Sequence, residues 1–263
     1  MIDTHCHLTF PDYDGRIPDV LREAREVGVT GCITISTTTV DCFHALRIAR
    51  SHDRVWCTAG VHPLYSDKAP HRWEALKEVG CDPRCLAWGE LGLDNHYPNP
   101  PRETQRRVLE AQIAAIESLA EAGMVKPVVL HCREAFADLI PILRASRLNP
   151  QRMVFHCFTG TPDDMRMIVD FGAWASFTGV LTYKNAQAVR DAAKILPIDR
   201  VMVETDAPFL SPEPHRAKRP NTPAMVTLVA KALAQVHSLG YDDTHARLND
   251  NTSRFFGIPA EAA

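Results

Sequence analysis

Side chains that can bind a metal recur in this sequence, each time at the end of a short apolar run. The first run contains a His-X-His pair, and four later runs each end in a histidine or an acidic residue. Because side chains alternate along a strand, the two histidines of the pair face the same side. The six predicted metal ligands are His5, His7, Glu90, His131, His156 and Asp206.

These six groups predict a centre of two divalent ions. Imidazole together with carboxylate suits zinc, manganese or iron better than calcium, which prefers oxygen ligands alone. The sequence does not choose among zinc, manganese, magnesium and iron. Six protein ligands exceed the four of a tetrahedral ion, so we expect two ions with Glu90 between them. We predict that Asp206 is both a ligand and the catalytic acceptor of a proton from water.

Any one of these histidines, taken alone, could equally be a hydrogen-bonded core residue and not a metal ligand, because buried polar residues are normally hydrogen-bonded. The coincidence at five strand ends favours the metal centre. Four imidazoles and two carboxylates buried together without a cation would need many separate partners, and the anions would repel each other.

The elements that position these residues alternate between short apolar strands and amphipathic helices, which is typical of βα units around a parallel sheet. We predict one α/β domain over residues 1–263, a (β/α)8 TIM-type barrel with an extra C-terminal helix on its outside. An open doubly wound sheet is the alternative. The predicted strands are 1–7, 32–36, 55–60, 85–91, 127–131, 153–156, 174–177 and 200–204. The predicted helices are 17–27, 42–51, 72–79, 103–122, 136–144, 163–171, 185–196, 224–239 and 243–256.

The composition suits one intracellular domain. The chain has 263 residues, of which 45% are hydrophobic and 23% charged, enough for a single large core. Eight scattered cysteines indicate a reduced protein, and a zinc site at Cys81 and Cys85 has no second pair to complete it. The sequence has no apolar stretch of about 20 residues and no leader pattern. We therefore expect a cytoplasmic protein, not bound to membranes, and no obligate protein partner is evident.

The charge pattern predicts how a phosphate-bearing substrate is bound. A net charge of -3 argues against binding nucleic acid by bulk electrostatics, so DNA or another phosphate-bearing partner must meet a local basic patch. A basic loop follows the eighth strand, where barrels often bind phosphate, although a solvated loop is the alternative. The predicted phosphate contacts are His62, Arg133, His215, Lys218 and Arg219.

Three charged residues near the predicted centre have structural interpretations. Asp3 and Asp94 are expected to orient ligand imidazoles from behind. Arg133 has an alternative as the ion-pair partner of Glu134 or Asp94.

Eight segments of the sequence resemble the TatD family of metal-dependent deoxyribonucleases, and together they span nearly the whole chain. These segments are IDTHCHL at 2–8, GVHP at 60–63, GELGLD at 89–94, HCREA at 131–135, FHCFTG at 155–160, VETDAPFL at 203–210, PHRAKR at 214–219 and NTSRFFG at 251–257.

The resemblance implies a phosphodiesterase of the amidohydrolase superfamily that degrades DNA, often from the 3′ end. It also implies that Glu90 bridges two ions, in place of a carbamylated lysine. One ion would bind His5, His7, Asp206 and Glu90, and the other Glu90, His131 and His156. The sequence departs from the family after the basic loop, where residues 219–223 read Arg-Pro-Asn-Thr-Pro, and after GLD, where residues 95–97 read Asn-His-Tyr.

Two other functions remain open on the sequence. The same barrel fold hydrolyses many kinds of bond in different enzymes, so a C–N or ester hydrolase, such as a D-aminoacyl-tRNA deacylase, is the main alternative. A nucleic-acid-binding protein without catalysis is the second, and the complete ligand set argues against it.

Overall fold

The structure, a computed structural model, describes residues 1–258. In this range eight strands form one parallel sheet, in which each strand pairs with the next one along the chain. A parallel bridge joins Cys6 to Ala207, in the segment that follows the last strand, so the sheet closes into a barrel. The predicted TIM-type barrel is confirmed, and the open doubly wound sheet is excluded.

The strands and helices alternate along the chain, as the sequence predicts. The strands are β1 Ile2–Cys6, β2 Gly31–Thr34, β3 Val55–Ala59, β4 Cys85–Asp94, β5 Val128–Arg133, β6 Met153–Phe155, β7 Trp174–Phe177 and β8 Val201–Val203. The helices are α1 Ile17–Glu26, α2 Asp41–Ser51, α3 Glu74–Gly80, α4 Arg102–Glu121, α5 Phe136–Ala145, α6 Pro162–Phe171, α7 Gln187–Ala193, α8 Val226–His237 and α9 Tyr241–Phe256.

The barrel interior is an apolar cluster to which every strand contributes at least one side chain. Ile33, Val129 and Met202 are typical members, and each is at most 2% exposed. A larger cluster fills the space between the strands and the surrounding helices. The barrel is therefore packed through its middle, and polar side chains are left to the ends of the strands.

The sequence predicted that the extra helix packs on the outside of the barrel, but the end of α9 also reaches the interior cluster. Phe255, Phe256 and Ile258 belong to the interior cluster, and the ring of Phe255 lies 5.1 Å from that of Trp174, the first residue of β7. The end of α9 thus closes the opening of the barrel at the N-terminal ends of the strands. The sequence pattern could not show this, because aromatic residues at a helix end fit either position.

Two strands that carry site residues have irregular register. The pairing of β4 with β5 shifts between Trp88 and Leu91, and both of these residues pack in the outer cluster although they are three positions apart. Strict alternation would put them on opposite faces. A similar shift interrupts β1 between Asp3 and Cys6. Alternation therefore predicts faces correctly only on one side of each irregularity.

None of the helices within residues 1–258 is both long and apolar enough to cross a membrane.

Candidate metal centre

The six residues predicted as metal ligands come together at the C-terminal ends of the strands, with Glu90 at the centre. Glu90 Oε2 lies 3.3 Å from His5 Nε2 and 4.0 Å from His7 Nε2. Its other oxygen, Oε1, lies 2.8 Å from His131 Nδ1 and 2.6 Å from His156 Nε2. One buried carboxylate therefore faces two separate sets of imidazoles, one with each oxygen.

The first set is completed by Asp206. Asp206 Oδ1 lies 3.3 Å from His7 Nε2 and 3.6 Å from His5 Nε2, and the three residues form a group that could hold an ion. Backbone contacts fix this geometry, because Asp206 N donates to His5 O and His7 N donates to Ala207 O. The side chain of Asp206 is 15% exposed, whereas that of Glu90 is 1% exposed, so Asp206 opens toward the mouth of the barrel.

The second set includes a residue that the sequence had placed elsewhere. His62, predicted as a phosphate contact, has its Nε2 3.1 Å from His131 Nδ1 and 3.4 Å from Glu90 Oε1. His62, Glu90 and His131 form another group with metal-binding geometry. His62 thus lies in the centre itself, and distance alone does not distinguish a ligand from a substrate contact.

Hydrogen bonds at the outer nitrogens show which imidazoles offer a lone pair to the centre. His7 Nδ1 contacts the carbonyl oxygen of Ile35 at 3.2 Å, and His131 Nε2 contacts Asp94 Oδ2 at 3.0 Å. His156 Nδ1 lies 3.3 Å from Glu204 Oε1. Each of these oxygens only accepts, so each outer nitrogen carries the proton, and the nitrogen that faces Glu90 is free to bind a cation.

His62 has the opposite arrangement. Its Nδ1 accepts a hydrogen bond from the backbone N–H of Leu64 at 3.0 Å. In the neutral ring the proton must then lie on Nε2, the nitrogen that points into the centre. Burial lowers the pKa of His62 to about 3, which keeps the ring neutral near pH 7. His62 therefore presents a hydrogen-bond donor to the site, in contrast to the three imidazoles above.

The acidic residues behind the ligands differ in part from the prediction. Asp94 contacts a ligand imidazole as expected. Asp3 does not, because it accepts hydrogen bonds from the hydroxyl and N–H of Thr205 and from the N–H of His5. Burial raises the pKa of Asp3 to about 8, although these hydrogen bonds lower it.

Glu204 is a site residue that the sequence reasoning did not single out. It is 1% exposed and lies behind His156, and it also accepts hydrogen bonds from the hydroxyl of Ser176 at 2.6 Å and from the N–H of Cys157 at 2.7 Å. The signal was available, since Glu204 ends the same apolar run that leads to Asp206.

The electrostatics of the centre are those of closely packed acids and imidazoles. Burial alone would raise the pKa of Glu90, but the imidazoles around it, His156 above all, hold it well below its ordinary value. Burial also opposes ionisation of Asp206, yet the hydrogen bond from His7 and the nearby His5 lower its pKa. Both carboxylates are thus anions near neutral pH and favour bound cations.

The other predicted phosphate contacts lie around the mouth of the barrel. Arg133 ends β5 and donates to the hydroxyl of Tyr97 at 3.4 Å, and its guanidinium carbon lies 5.1 Å from the ring centre. The alternative ion pairs are not formed, since Glu134 pairs with His96 and Asp94 pairs with His131. In the basic loop, His215, Lys218 and Arg219 are exposed, and so is Arg216 between them.

The stretch that departs from the family pattern anchors the loop that follows β8. Asn221 is fully buried, and its amide nitrogen donates to Thr205 O at 3.1 Å and to Phe209 O at 2.6 Å. Its backbone oxygen accepts a hydrogen bond from the hydroxyl of Tyr13 at 2.6 Å. These contacts fix the turn that carries Asp206.

An eight-stranded parallel barrel whose mouth gathers imidazoles and carboxylates is the arrangement of a metal-dependent hydrolase. The chain belongs to the TatD-related DNase family, whose model matches residues 2–257. It is thus an enzyme, a metal-dependent hydrolase that acts on ester bonds.

Two relatives and one solved structure illustrate the similarity. The uncharacterized metal-dependent hydrolase YcfH of Escherichia coli K12 is 36% identical over 263 residues, covering 99% of this chain and 97% of its own. The 3′-5′ ssDNA/RNA exonuclease TatD of Edwardsiella piscicida is 34% identical over 247 residues, covering 89% and 91%. The crystal structure of YJJV, a TatD homolog from Escherichia coli K12, superimposes with a TM-score of 0.90 at 28% identity and covers 98% of each chain.

Proposed function

We propose that this enzyme hydrolyses phosphodiester bonds of DNA with two divalent ions that share Glu90. His5, His7 and Asp206 would complete one site, and His131 and His156 the other. The observation that carries this proposal is the position of Glu90, which turns one oxygen to each set of imidazoles.

The residues fit divalent ions on their own chemistry. Glu90 Oε2 is buried and accepts no well-aligned hydrogen bond among residues 1–258, although His5 Nε2 lies 3.3 Å away. A buried anionic oxygen without a partner is costly, and a cation removes that cost. The set of four imidazoles and two carboxylates suits zinc, manganese or iron, with magnesium less favoured by so many nitrogens. When bound, such ions lower the pKa of coordinated water and neutralise charge on phosphoryl oxygens.

Side chains of this protein would accept the proton, bind a phosphoryl oxygen and orient the metal ligands. Asp206 is ionised and opens to the mouth, so it can accept the proton of the attacking water. His62 points an N–H into the centre, where it would donate to a phosphoryl oxygen. Asp94 and Glu204 hold His131 and His156 in the tautomers that leave their inner nitrogens free.

The substrate contacts proposed beyond the centre are basic and lie on the same face. Arg133 borders the metal centre, whereas His215, Lys218 and Arg219 follow β8 in an exposed loop. This loop would bind phosphates remote from the reacting bond. The name of the relative from Edwardsiella piscicida includes 3′-5′ exonuclease activity on single strands. We propose the same polarity for this chain, acting on DNA.

The test is an assay of protein reconstituted with zinc, manganese, magnesium or iron. Single- and double-stranded DNA labelled at the 5′ or the 3′ end would be incubated beside an aminoacylated tRNA. We expect metal-dependent release of nucleotides from the 3′ end and no activity in excess chelator. Elemental analysis should find close to two ions per chain. Deacylation of the tRNA without cleavage of DNA would show that the enzyme is the alternative ester hydrolase. Full activity in excess chelator would refute the metal centre.

We also propose a cytoplasmic location. All eight cysteines are free thiols, and six of them are buried. Such thiols persist in a reducing compartment.

A further inference from the structure

Exposed aromatic rings are confined to one place in this protein. The chain has ten Phe, four Trp and five Tyr residues. Within residues 1–258, which include all of them, only Phe209 and Tyr97 are exposed, at 41% and 45%. Both follow the C-terminal end of a strand, Phe209 after β8 and Tyr97 after β4. The two most exposed of these side chains in residues 1–258 therefore both lie at the mouth of the barrel.

The two rings lie on opposite rims of this mouth. The strands follow each other around the barrel in chain order, so β4 is half a turn from β8. Glu90 lies on β4, and Asp206 follows β8. The metal centre therefore lies between the two rings.

Phe209 is held close to the metal centre by its backbone and its ring. Its N–H donates to Asp206 O at 2.9 Å, and its carbonyl accepts from the Asn221 amide. Its ring lies 5.8 Å, edge to face, from Phe10, which stacks on His7 at 4.9 Å. A ring presented rigidly beside a metal ligand loses little conformational entropy when a ligand stacks on it.

Tyr97 is anchored in a comparable way on the other rim. Its N–H donates to Asp94 Oδ1 at 3.2 Å, and Asp94 holds His131. Arg133 lies against the Tyr97 ring and donates to its hydroxyl. Tyr97 is thus connected to a ligand of the second set as Phe209 is connected to the first.

Resting on the phosphodiesterase function proposed above, we propose that Phe209 and Tyr97 each stack one of the two nucleobases that flank the scissile phosphate. A phosphate bound by the ions of the metal centre would lie between the two rims, so its two nucleosides could extend toward opposite rings. Bases stack on aromatic side chains without regard to sequence, since every base has a π face. Within a duplex the neighbouring base pairs cover these faces, so the two positions select single-stranded nucleotides, whose bases can unstack on both sides of the bond.

The first test uses three dinucleotides, one with both bases and two in which a single nucleoside is abasic, together with a doubly abasic control. For the intact dinucleotide, Phe209→Ala should lower kcat/KM about 5- to 150-fold, the range of one base–aromatic stack. The loss should vanish when one particular base is absent, and Tyr97→Ala should show the same dependence on the other base. Phe209→Tyr should retain the parent's rates. Leu239→Ala, at a residue 36% exposed after α8, is the control for lost apolar surface.

The doubly abasic dinucleotide separates stacking from damage to the centre. Relative to the parent, Phe209→Ala should lower the ratio of kcat/KM for the intact dinucleotide to kcat/KM for the doubly abasic one, while its metal content stays that of the parent. Equal losses on all four substrates would mean that Phe209 supports His7 through Phe10, and the inference would be wrong. The inference would also be overturned if the loss of kcat/KM in Phe209→Ala and in Tyr97→Ala depended on the same base.

Binding provides a readout that does not need catalysis. In the metal-loaded Asp206→Asn background, in which turnover should be slow, fluorescence anisotropy of labelled intact and abasic oligonucleotides gives the contribution of each base to Kd. A double-mutant cycle should show that Phe209→Ala removes the contribution of one base and Tyr97→Ala that of the other. Additive effects would refute stacking. If the metal-loaded parent cleaves no oligonucleotide, the proposed function fails, and this cycle still decides the binding proposal.

Discussion

At the residue scale, the outer nitrogen of each imidazole determines what its inner nitrogen can do. A carbonyl or carboxylate holds the outer nitrogen of His7, His131 and His156, which frees the inner one for a cation. A backbone N–H holds the outer nitrogen of His62, so the inner one donates. One residue type therefore serves two roles within a few ångströms.

Asp206→Asn separates the role of ligand from that of proton acceptor. The variant keeps an oxygen toward His5 and His7 but loses the negative charge and the basic site. We expect it to retain much of its metal while kcat falls at least ~10²-fold, since general-base assistance is typically worth about 10²- to 10⁴-fold. His5→Ala should lose metal and activity together and recover partly at high metal concentration. Turnover within a few-fold of the parent, at full metal occupancy, would refute the base role of Asp206.

The sequence could predict the six candidate ligands because each ends an apolar run, a pattern visible in one dimension. It could not place His62 in the centre, because the contact with His131 spans 69 positions and depends on how the loop after β3 folds back. Glu204 was missed for a related reason. Its partner His156 lies 48 positions away on another strand, so neither residue shows the pair locally.

At the element scale, the loop after β8 depends on one buried amide. Asn221→Ala would leave the carbonyls of Thr205 and Phe209 without a donor that the structure now gives them. An unsatisfied buried group costs roughly 1–3 kcal/mol, so we expect the free energy of unfolding to fall by about 2–4 kcal/mol. Denaturant unfolding at fixed metal concentration measures this. Asn185→Ala, at an exposed residue, is the matched control and should change it by less than about 0.5 kcal/mol.

Helix α8 contains a histidine that should make the protein sensitive to acid. His237 is half-buried, its Nε2 has no partner within residues 1–258, and burial together with Lys194 lowers its pKa from 6.5. Because its pKa is lower in the folded state, its contribution to stability is present above pH 6.5 and is lost as pH falls below that value. His237→Gln should therefore lose less stability than the parent between pH 7.5 and 5. Parallel curves for parent and variant would contradict the prediction.

Element boundaries show where sequence patterns are reliable and where they are not. β7 was predicted to the residue, because Trp174–Phe177 is an apolar run with a glycine-containing turn before it. β4 runs three residues past its predicted end, to Asp94, because the extension pairs with β5 up to Arg133. Pairing with a neighbour adds polar residues to a strand, and hydrophobicity alone does not reveal it.

At the scale of the whole molecule, the barrel separates stability from chemistry. Apolar residues fill the middle, and α9 closes the N-terminal opening with Phe255 and Phe256. The other end gathers the charged groups. The alternation of strands and helices predicted the barrel because few folds have eight strands and helices in that order. The position of α9 could not be predicted in this way, because it depends on which end of the barrel leaves apolar side chains uncovered.

The net charge of -3 means that attraction to a polyanion must be local, and the exposed loop after β8 is its proposed source. Replacing both Lys218 and Arg219 by alanine should raise KM for single-stranded DNA. Hydrolysis of bis(4-nitrophenyl) phosphate should be almost unchanged, because that substrate offers no remote phosphate. Lys77→Ala with Arg107→Ala, which removes the same charge from exposed positions of α3 and α4, is the matched control.

The effect of this loop should depend on salt in a defined way. Each phosphate contact with a single strand contributes a slope of about 0.7 to the fall of log affinity with log salt, so losing two should reduce the slope by roughly 1.4. Parent and variant should therefore converge as the salt concentration rises, while the control variant keeps the slope of the parent. Equal losses on DNA and on the small diester, at every salt concentration, would mean that the loop shapes the metal centre and does not bind the DNA backbone.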